Sequence, residues 1–452
     1  MGFGWFAFGL YWIGSAFMVA DTYHKVLMPL AVVILPSVLA IFWGIACVFA
    51  KLLTKKNQSS LFLIIVFLTL FEYLRAKLLT GFPWLMPSII LSSNDYLIQI
   101  FALVGSFTAN LFVFSFSILP FVLIFNFRSK YIIFGLLSIP ITILLFSSFV
   151  RLYNKDNKVS DKNLITLVQP NIEQKDKWNL EKRNANLNKL TQFSIQNVNE
   201  YIGVNRIIIW PETSFEGTIP NEMELLSVIS KRILTDQKAI LVVGLLRVDK
   251  NKLFNSLVFL NSKGNIIHQY DKIHLVPFGE YIPLRNKFTT IANFLSLKDF
   301  SSGNIKPNFT LKGFGNILTL ICYEILFTEE VISRLSKNTN LLINITNDAW
   351  FGKTIGPYQH LALAKIKAVE LGIPLARVAN TGISALISPY GEEITKIPLY
   401  ESGVRTAKLT LPLKNTIYRK YGEIIFIVSI LFLIFINKMY DYKFSRDLKN
   451  EK

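Results

Sequence analysis

The sequence predicts a two-part chain: a multi-span α-helical membrane domain, followed by an α/β domain of layered sheet and helix outside the bilayer. Three observations predict it. Of 452 residues 52% are apolar and only 17% charged, and the mean hydropathy of +0.41 is too high for an ordinary soluble enzyme. Residues 1–150 hold only eight Lys or Arg and three acids, so the first third is nearly charge-free. Beyond residue 151 the chain becomes polar, and short Val/Ile/Leu runs alternate with helical stretches. The expected division is 1–150 membrane domain, 151–419 outer domain, and 420–452 a C-terminal span with a basic tail.

Crossing the hydrocarbon core takes about 20 apolar residues. Residues 2–20 and 26–50 carry no charge within their apolar runs. Residues 59–80 are apolar through Phe71 and then admit Glu72, Arg75 and Lys77, which is costly unless these face an interface or a functional cavity. Residues 96–127 and 131–150 complete five front spans. A sixth, 424–437, is short, but Glu423 and Lys438 can snorkel and Tyr418, Tyr421 and Tyr440 suit the interfaces.

Lys51, Lys55 and Lys56, then Arg128 and Lys130, then Lys438 and the basic residues after it all fall on one side of this arrangement. The positive-inside rule makes that side the cytoplasm and puts the region from Arg151 to Arg419 outside. Met1 leads straight into apolar sequence without the basic flank of a signal peptide, and no myristoylation pattern is present.

Residues 152–163 suit a linker leaving the membrane. Strands are expected at 164–170, 206–210, 239–248, 254–260, 266–270, 318–323 and 341–346, several reading as buried on both faces. Helices are expected at 180–201, 222–235, 329–337 and 360–371.

Much chemistry is disfavoured. The four histidines lack metal-ligand spacing, and no GxSxG elbow, P-loop or GxGxxG follows a strand. The excess of Lys comes without a nucleic-acid recognition motif, so no nucleic-acid partner is expected. Cys47 lies in an apolar run and Cys322 in the polar region, which makes a disulfide between them implausible.

What remains is a carboxylate, an amine and a thiol near strand ends. Glu212 follows the strand in Trp210-Pro211-Glu212-Thr213, where Pro stops the ladder. Lys272 sits among apolar residues, with Glu280 eight positions later. Cys322 ends an apolar run and precedes Tyr323 and Glu324. Alone, each is more often a solvated carboxylate, a surface lysine or an inert buried thiol. Together they describe one mechanism. Glu212 could deprotonate Cys322, Cys322 could attack a carbonyl, and Lys272 with the backbone N–H after Cys322 could hold the oxyanion, while Glu280 keeps Lys272 charged.

WPE, then K followed by HLVPFGEYIP, then CYE, in this order, resemble the nitrilase (carbon-nitrogen hydrolase) superfamily, whose Glu-Lys-Cys triad sits on an α-β-β-α sandwich. The match is closer still to its membrane branch, the apolipoprotein N-acyltransferase family. The carrying stretches are HLVPFGEYIPL (274–284), ICYEI (321–325), NDAWFGKTIGPYQH (347–360) and TGFPWL (80–85), and the likeness covers nearly the whole chain. It implies Glu212 as general base, Lys272 as oxyanion stabiliser and Cys322 as nucleophile. It further implies supporting roles for Glu280, Tyr323 and Glu324, with Trp178 and Trp350 along a substrate path and Trp84, in Gly81-Phe82-Pro83-Trp84, helping to seat a lipid. The implied partners are a phospholipid acyl donor and a diacylglyceryl-modified lipoprotein acceptor in the membrane lipid bilayer, at the bacterial cytoplasmic (inner) membrane with the catalytic domain on the periplasmic side. No metal or organic cofactor is implied. That family usually has eight spans and six are counted here, the missing pair lying at the front. An even deficit leaves the orientation unchanged.

Both implied substrates are held in the bilayer by acyl chains, each buried CH₂ contributing about 0.8 kcal/mol, so the chemistry must happen at the membrane surface. A thioester awaiting an amine must also be kept from water, and the segment 288–300 with the loop after Trp350 is the expected excluding surface. Two rivals stay open at this stage: a membrane-tethered amidase or nitrilase using water, and a transporter or lipid-binding scaffold without activity.

Overall fold

The computed structural model describes residues 1–19, 23–54, 60–124, 130–156, 158–196, 198–285, 287, 299–304 and 308–450. The front is helical: α1 (Gly2–Gly9), α2 (Ile13–Val19), α3 (Met28–Leu53), α4 (Ser60–Arg75), α5 (Ile100–Ile124) and α6 (Lys130–Tyr153). Among the described residues, four stretches are long and apolar enough to cross a membrane: Gly2–Val19, Lys25–Leu53, Leu97–Ile124 and Lys130–Tyr153. The first of these is broken between α1 and α2.

The expected third span differs. It is a helix of 16 residues that ends at Arg75 and is followed by a 3₁₀ turn at Leu78–Thr80. Arg75 explains the stop, because its guanidinium turns back onto the chain that follows and donates to the carbonyls of Phe82 and Trp84, the latter at 3.0 Å. At the other end of the chain the sequence 424–437 belongs to a longer helix, Ile424–Asn450, whose apolar part runs only to Met439.

The middle of the chain builds two sheets. The first contains β1 (Val159–Gln169), β2 (Asn205–Ile209), β3 (Thr218–Ile219), β4 (Ala239–Asp249), β5 (Lys252–Leu260), β6 (Ile266–Asp271) and β13 (Gly403–Thr410). Its order is β13-β1-β2-β4-β5-β6, with β3 pairing β4. The second contains β7 (Asn308–Leu311), β8 (Gly315–Ile321), β9 (Thr339–Thr346), β10 (Leu375–Ala379), β11 (Ser384–Ile387) and β12 (Glu393–Ile397), in the order β12-β11-β10-β9-β8-β7. Strands β1, β2 and β4 run parallel in one sheet, and β8, β9 and β10 in the other.

The alternation of side chains explains the layering. Ile207 and Ile209 of β2 join Ile343 and Ile345 of β9 in one core between the sheets. Ile208 and Trp210 point the other way, onto α7 (Leu180–Ile195) and α8 (Met223–Ile233). On the far side of the second sheet Leu318 and Leu320 pack beneath α9 (Thr328–Arg334) and α10 (Gly356–Leu371). This is an α-β-β-α sandwich.

The outer layer of the sandwich and the membrane helices share one core. Phe6, Trp84 and Phe101 from the front of the chain cluster with Leu361, Leu363 and Val369 of α10. Gln359 of α10 accepts the indole N–H of Trp12 at 2.9 Å and of Trp84 at 2.8 Å, and donates to the Gly9 carbonyl at 2.9 Å. Helix α5 kinks at Gly105, whose φ of +74° and lack of a Cβ let the ring of Tyr418 approach; a Cβ there would lie 2.1 Å from that ring.

The charges that looked costly in the sequence are paired inside the protein. Arg75 bonds Glu72 at 2.6 and 3.1 Å, and the Trp43 indole donates to the same carboxylate at 2.7 Å, with both members of the pair 1% exposed or less. Removing one member leaves the other charge buried and uncompensated. Arg75→Met is therefore expected to destabilise the protein by about 3–5 kcal/mol, read as the thermal midpoint in detergent. The double variant Glu72→Gln/Arg75→Met should lose less than Arg75→Met alone.

Candidate active site

The sandwich brings the sequence-predicted residues together at the carboxyl ends of its strands, the end at which open α/β sheets bind ligands. Glu212 lies just past β2, Lys272 directly follows β6, and Cys322 directly follows β8 of the facing sheet. Pro211 and Glu212 pass so close over β4 that only glycine fits beneath them. A Cβ on Gly244 would lie 2.3 Å from the Pro211 carbonyl oxygen and 2.7 Å from the Glu212 Cα.

Glu212 is 7% exposed. Its Oε1 accepts from Asn255 Nδ2 at 2.7 Å, and the same amide donates to Glu280 Oε1 at 3.0 Å. Glu280 Oε2 meets Lys272 Nζ at 2.7 Å and accepts the Val276 N–H at 2.8 Å. Two carboxylates thus share one amide and face one ammonium. Burial, with Glu280 adding to it, raises the Glu212 carboxyl above the ordinary range, although Lys272, Asn255 and Lys177 oppose this. For Lys272 burial opposes the charge, but Glu280, Cys322 and Glu212 outweigh it and hold the lysine protonated beyond the usual range.

Cys322 starts a 3₁₀ turn (Cys322–Leu326) with φ at +52°, a conformation non-glycine residues seldom adopt. Burial and the Glu212 carboxylate push its thiol up to about 12, against Lys272 and a hydrogen bond with Thr346. At neutral pH Cys322 is therefore a protonated thiol beside the Glu212 carboxyl, rather than a preformed thiolate.

The strained turn is held from two directions. Glu324 Oε1 accepts from Tyr270 Oη (2.6 Å), Ile273 N (3.0 Å), His274 N (3.1 Å) and Arg334 (3.0 Å), while its Oε2 accepts from Ile321 N (2.9 Å). One carboxylate so joins the segment just after Lys272 to the strand end just before Cys322. From the other side Asn344 donates to the Cys322 carbonyl at 3.3 Å and accepts from Arg377 at 2.9 Å. Arg377 also meets Asp348 at 2.6 Å, and Asp348 accepts from Thr346 and pairs with His360, both at 3.0 Å. Burial works against the Asp348 charge, yet Arg377 and His360 hold its carboxyl down at about 2.

Tyr323 is buried, and its hydroxyl donates at 3.2 Å to the carbonyl of Gly81 in the membrane-domain loop that Arg75 holds. Trp178 and Trp350 are substantially exposed at 44% and 40%. Trp84 is not on a surface at all: it is 1% exposed and packs against Trp12, Phe351 and His360. The structure gives it a packing position between the two parts of the chain. Of the expected water-excluding segment 288–300, residues 288–298 lie outside the described residues.

Sequence reasoning missed Asn255, which no motif marks, and Lys177, which stands beside Trp178 and donates to the Glu212 backbone carbonyl at 3.0 Å. It also left Asn344 and Arg377 unassigned, while Asp348 and His360 lay inside a quoted motif without a role.

The chain can be set beside known proteins on this geometry. A carbon-nitrogen hydrolase family model matches residues 164–417, and the model of the apolipoprotein N-acyltransferase N-terminal domain matches 1–119. The curated apolipoprotein N-acyltransferase of Rhodopseudomonas palustris is 32% identical over 97% of this chain and 84% of its own length. That decides the family. The chain belongs to the apolipoprotein N-acyltransferases. The family member from Rickettsia bellii is 32% identical over 99% of this chain and 89% of its own length. Among solved structures, Saccharomyces cerevisiae Nit3, a member of branch 10 of the nitrilase superfamily, is similar at 18% identity and TM-score 0.43, over 58% of this chain and 94% of its own.

Two outcomes test the site's construction. Gly244→Ala should push Pro211 and Glu212 off β4, costing about 1–3 kcal/mol of stability and cutting activity further than that loss accounts for. Glu324→Ala strips five donors of their acceptor and is expected to lower stability by about 3–5 kcal/mol in detergent thermal melts.

Proposed function

We propose that this protein transfers an acyl chain from a phospholipid, through a thioester on Cys322, to the N-terminal amine of a diacylglyceryl-cysteine on a lipoprotein. The observation that carries the reading is a cluster of buried Glu212 and Lys272 with half-buried Cys322, whose nucleophile turn is hydrogen-bonded to a membrane-domain loop, in a chain of this family. Residues 1–150 and 420–452 form the membrane part and 151–419 the catalytic part, facing the periplasmic side of the bacterial cytoplasmic membrane. The basic residues flanking the apolar helices support that orientation.

The chemistry follows from the proton inventory. Glu212 takes the Cys322 proton as the sulfur attacks the ester carbonyl of the phospholipid. The oxyanion is stabilised by the Lys272 ammonium, which Glu280 orients, and by the Tyr323 backbone N–H. Collapse breaks the ester C–O bond, and the departing lysophospholipid oxygen receives the proton from Glu212. The lipoprotein amine then attacks the thioester carbonyl, Glu212 accepts the amine proton, and the thiol regains one as it leaves. The amide is the product.

Detergent-purified protein incubated with phospholipid should gain the mass of one acyl chain, and Cys322→Ala should not. Addition of a diacylglyceryl-cysteine peptide should discharge the adduct onto the peptide. Discharge to water as fast as to the peptide would instead support a hydrolase. Glu212→Gln should slow acylation roughly 10²- to 10⁴-fold. In the wild type the acylation rate should rise with pH as Glu212 ionises, on a limb above the ordinary carboxylate range of about 4.

A further inference from the structure

Lys177 is a buried cation beside Glu212 for which the mechanism above has no use. It lies between β1 and α7, is 4% exposed, and donates to the Glu212 backbone carbonyl at 3.0 Å. Lysine is rarely buried so fully without a partner that repays its desolvation. Its electrostatic partners are the carboxylates of Glu212 and Glu216. Glu216 accepts from Asn186 at 2.7 Å and has Arg183 beside it, and Arg183 is itself paired with Glu222. Burial brings the Lys177 amine down to about 8, which leaves it largely charged at neutral pH.

The surrounding loop is fixed elsewhere. Asn171 and Ile172 bond Asn380, and Gln174 accepts from Asn347 at 2.8 Å. Those bonds reach the end of the second sheet. The Lys177 bond reaches Glu212 itself, and the next residue, Trp178, stands exposed with φ at +77°.

We propose that Lys177 is a positioning residue for acyl transfer: its ammonium fixes the main chain of Glu212 and favours the ionised form of that carboxylate. This rests on the reading of Glu212 as the base. Among the described residues, the other charged groups acting on Glu212 are Lys272 and Glu280, which follow β6, while Cys322, which follows β8, faces both Glu212 and Asp348. Lys177 therefore supplies a second positive charge, from the loop that precedes α7. Removing it raises the Glu212 pKa further, so less carboxylate exists at a given pH and the rate limb moves to higher pH.

The test uses the full-length protein in detergent. Single-turnover formation of the Cys322 acyl adduct from phospholipid is followed by intact mass between pH 5 and 9 for wild type, Lys177→Met, Lys177→Arg and Glu212→Gln. Lys177→Met should acylate roughly 10- to 100-fold more slowly at pH 7, with its limb displaced upward, and Lys177→Arg should recover most of both. A Lys177→Met protein with wild-type rates, or with a uniform loss and an unmoved limb, overturns the proposal. If Lys177→Met does not fold, Lys177→Gln takes its place under the same criteria. A wild type that forms no adduct, or a Glu212→Gln variant that acylates normally, overturns the base reading, and the role of Lys177 falls with it. A functioning base with an indifferent Lys177 overturns the proposal alone.

Discussion

Everything catalytic in this protein hangs on a carboxylate that does no chemistry in the proposed mechanism. Glu324 sits buried between two sheets and takes hydrogen bonds from the end of β6, from the end of β8 and from Arg334 on α9. A carboxylate has about four acceptor positions in a plane, and here five donors occupy them. Such a fully satisfied network tolerates little movement of its members. Lys272 directly precedes one of those donors and Cys322 directly follows another, so their separation is set by Glu324. The left-handed backbone at Cys322 persists because these bonds and those from Asn344 over-determine it.

A second constraint joins chemistry to the bilayer. One core runs from the outer helices of the sandwich into the membrane helices, and side-chain hydrogen bonds cross the same junction. Gln359 ties α10 to Gly9, Trp12 and Trp84, and Tyr323 reaches Gly81. Arg75, paired with Glu72, holds the loop that carries Gly81 through Trp84. In hydrocarbon such a pair would be expensive, and it is retained where it organises backbone carbonyls that would otherwise lack donors. The membrane part is thus a structural wall of the site's second sheet, beyond its duty as an anchor.

The active-site electrostatics follow from desolvation. Burial raises Glu212 and Cys322 together while the neighbouring carboxylates keep Lys272 charged. A protonated thiol beside a buried carboxylate is inert until a carbonyl arrives to accept the sulfur's electrons, and its activation is then coupled to proton transfer. Keeping the thiol in its resting protonated form also limits its oxidation, which follows thiolate character.

Hydropathy was sufficient to read the membrane and α/β division, and strand-terminal polar residues offered Glu212, Lys272 and Cys322 for their expected roles, because these are local features; the sandwich was expected only through the family resemblance that the motifs carry. The short strands β10, β11 and β12 and the terminal β13 escaped that reading. Several are four or five residues long and β10 carries a buried Arg377, so periodicity had little to act on. The extent of the third apolar segment escaped it too, since only the folded chain shows Arg75 turning back onto Phe82 and Trp84. Trp84 looked like a lipid-facing residue from its neighbours in sequence, and packing made it interior. What the sequence by itself determined is which chemical groups are present and on which side of a strand end each falls. Only the tertiary structure decided their ionisation and their supports, because Asn255, Lys177 and Asn344 act on Glu212 and Cys322 across sequence separations that no local pattern spans.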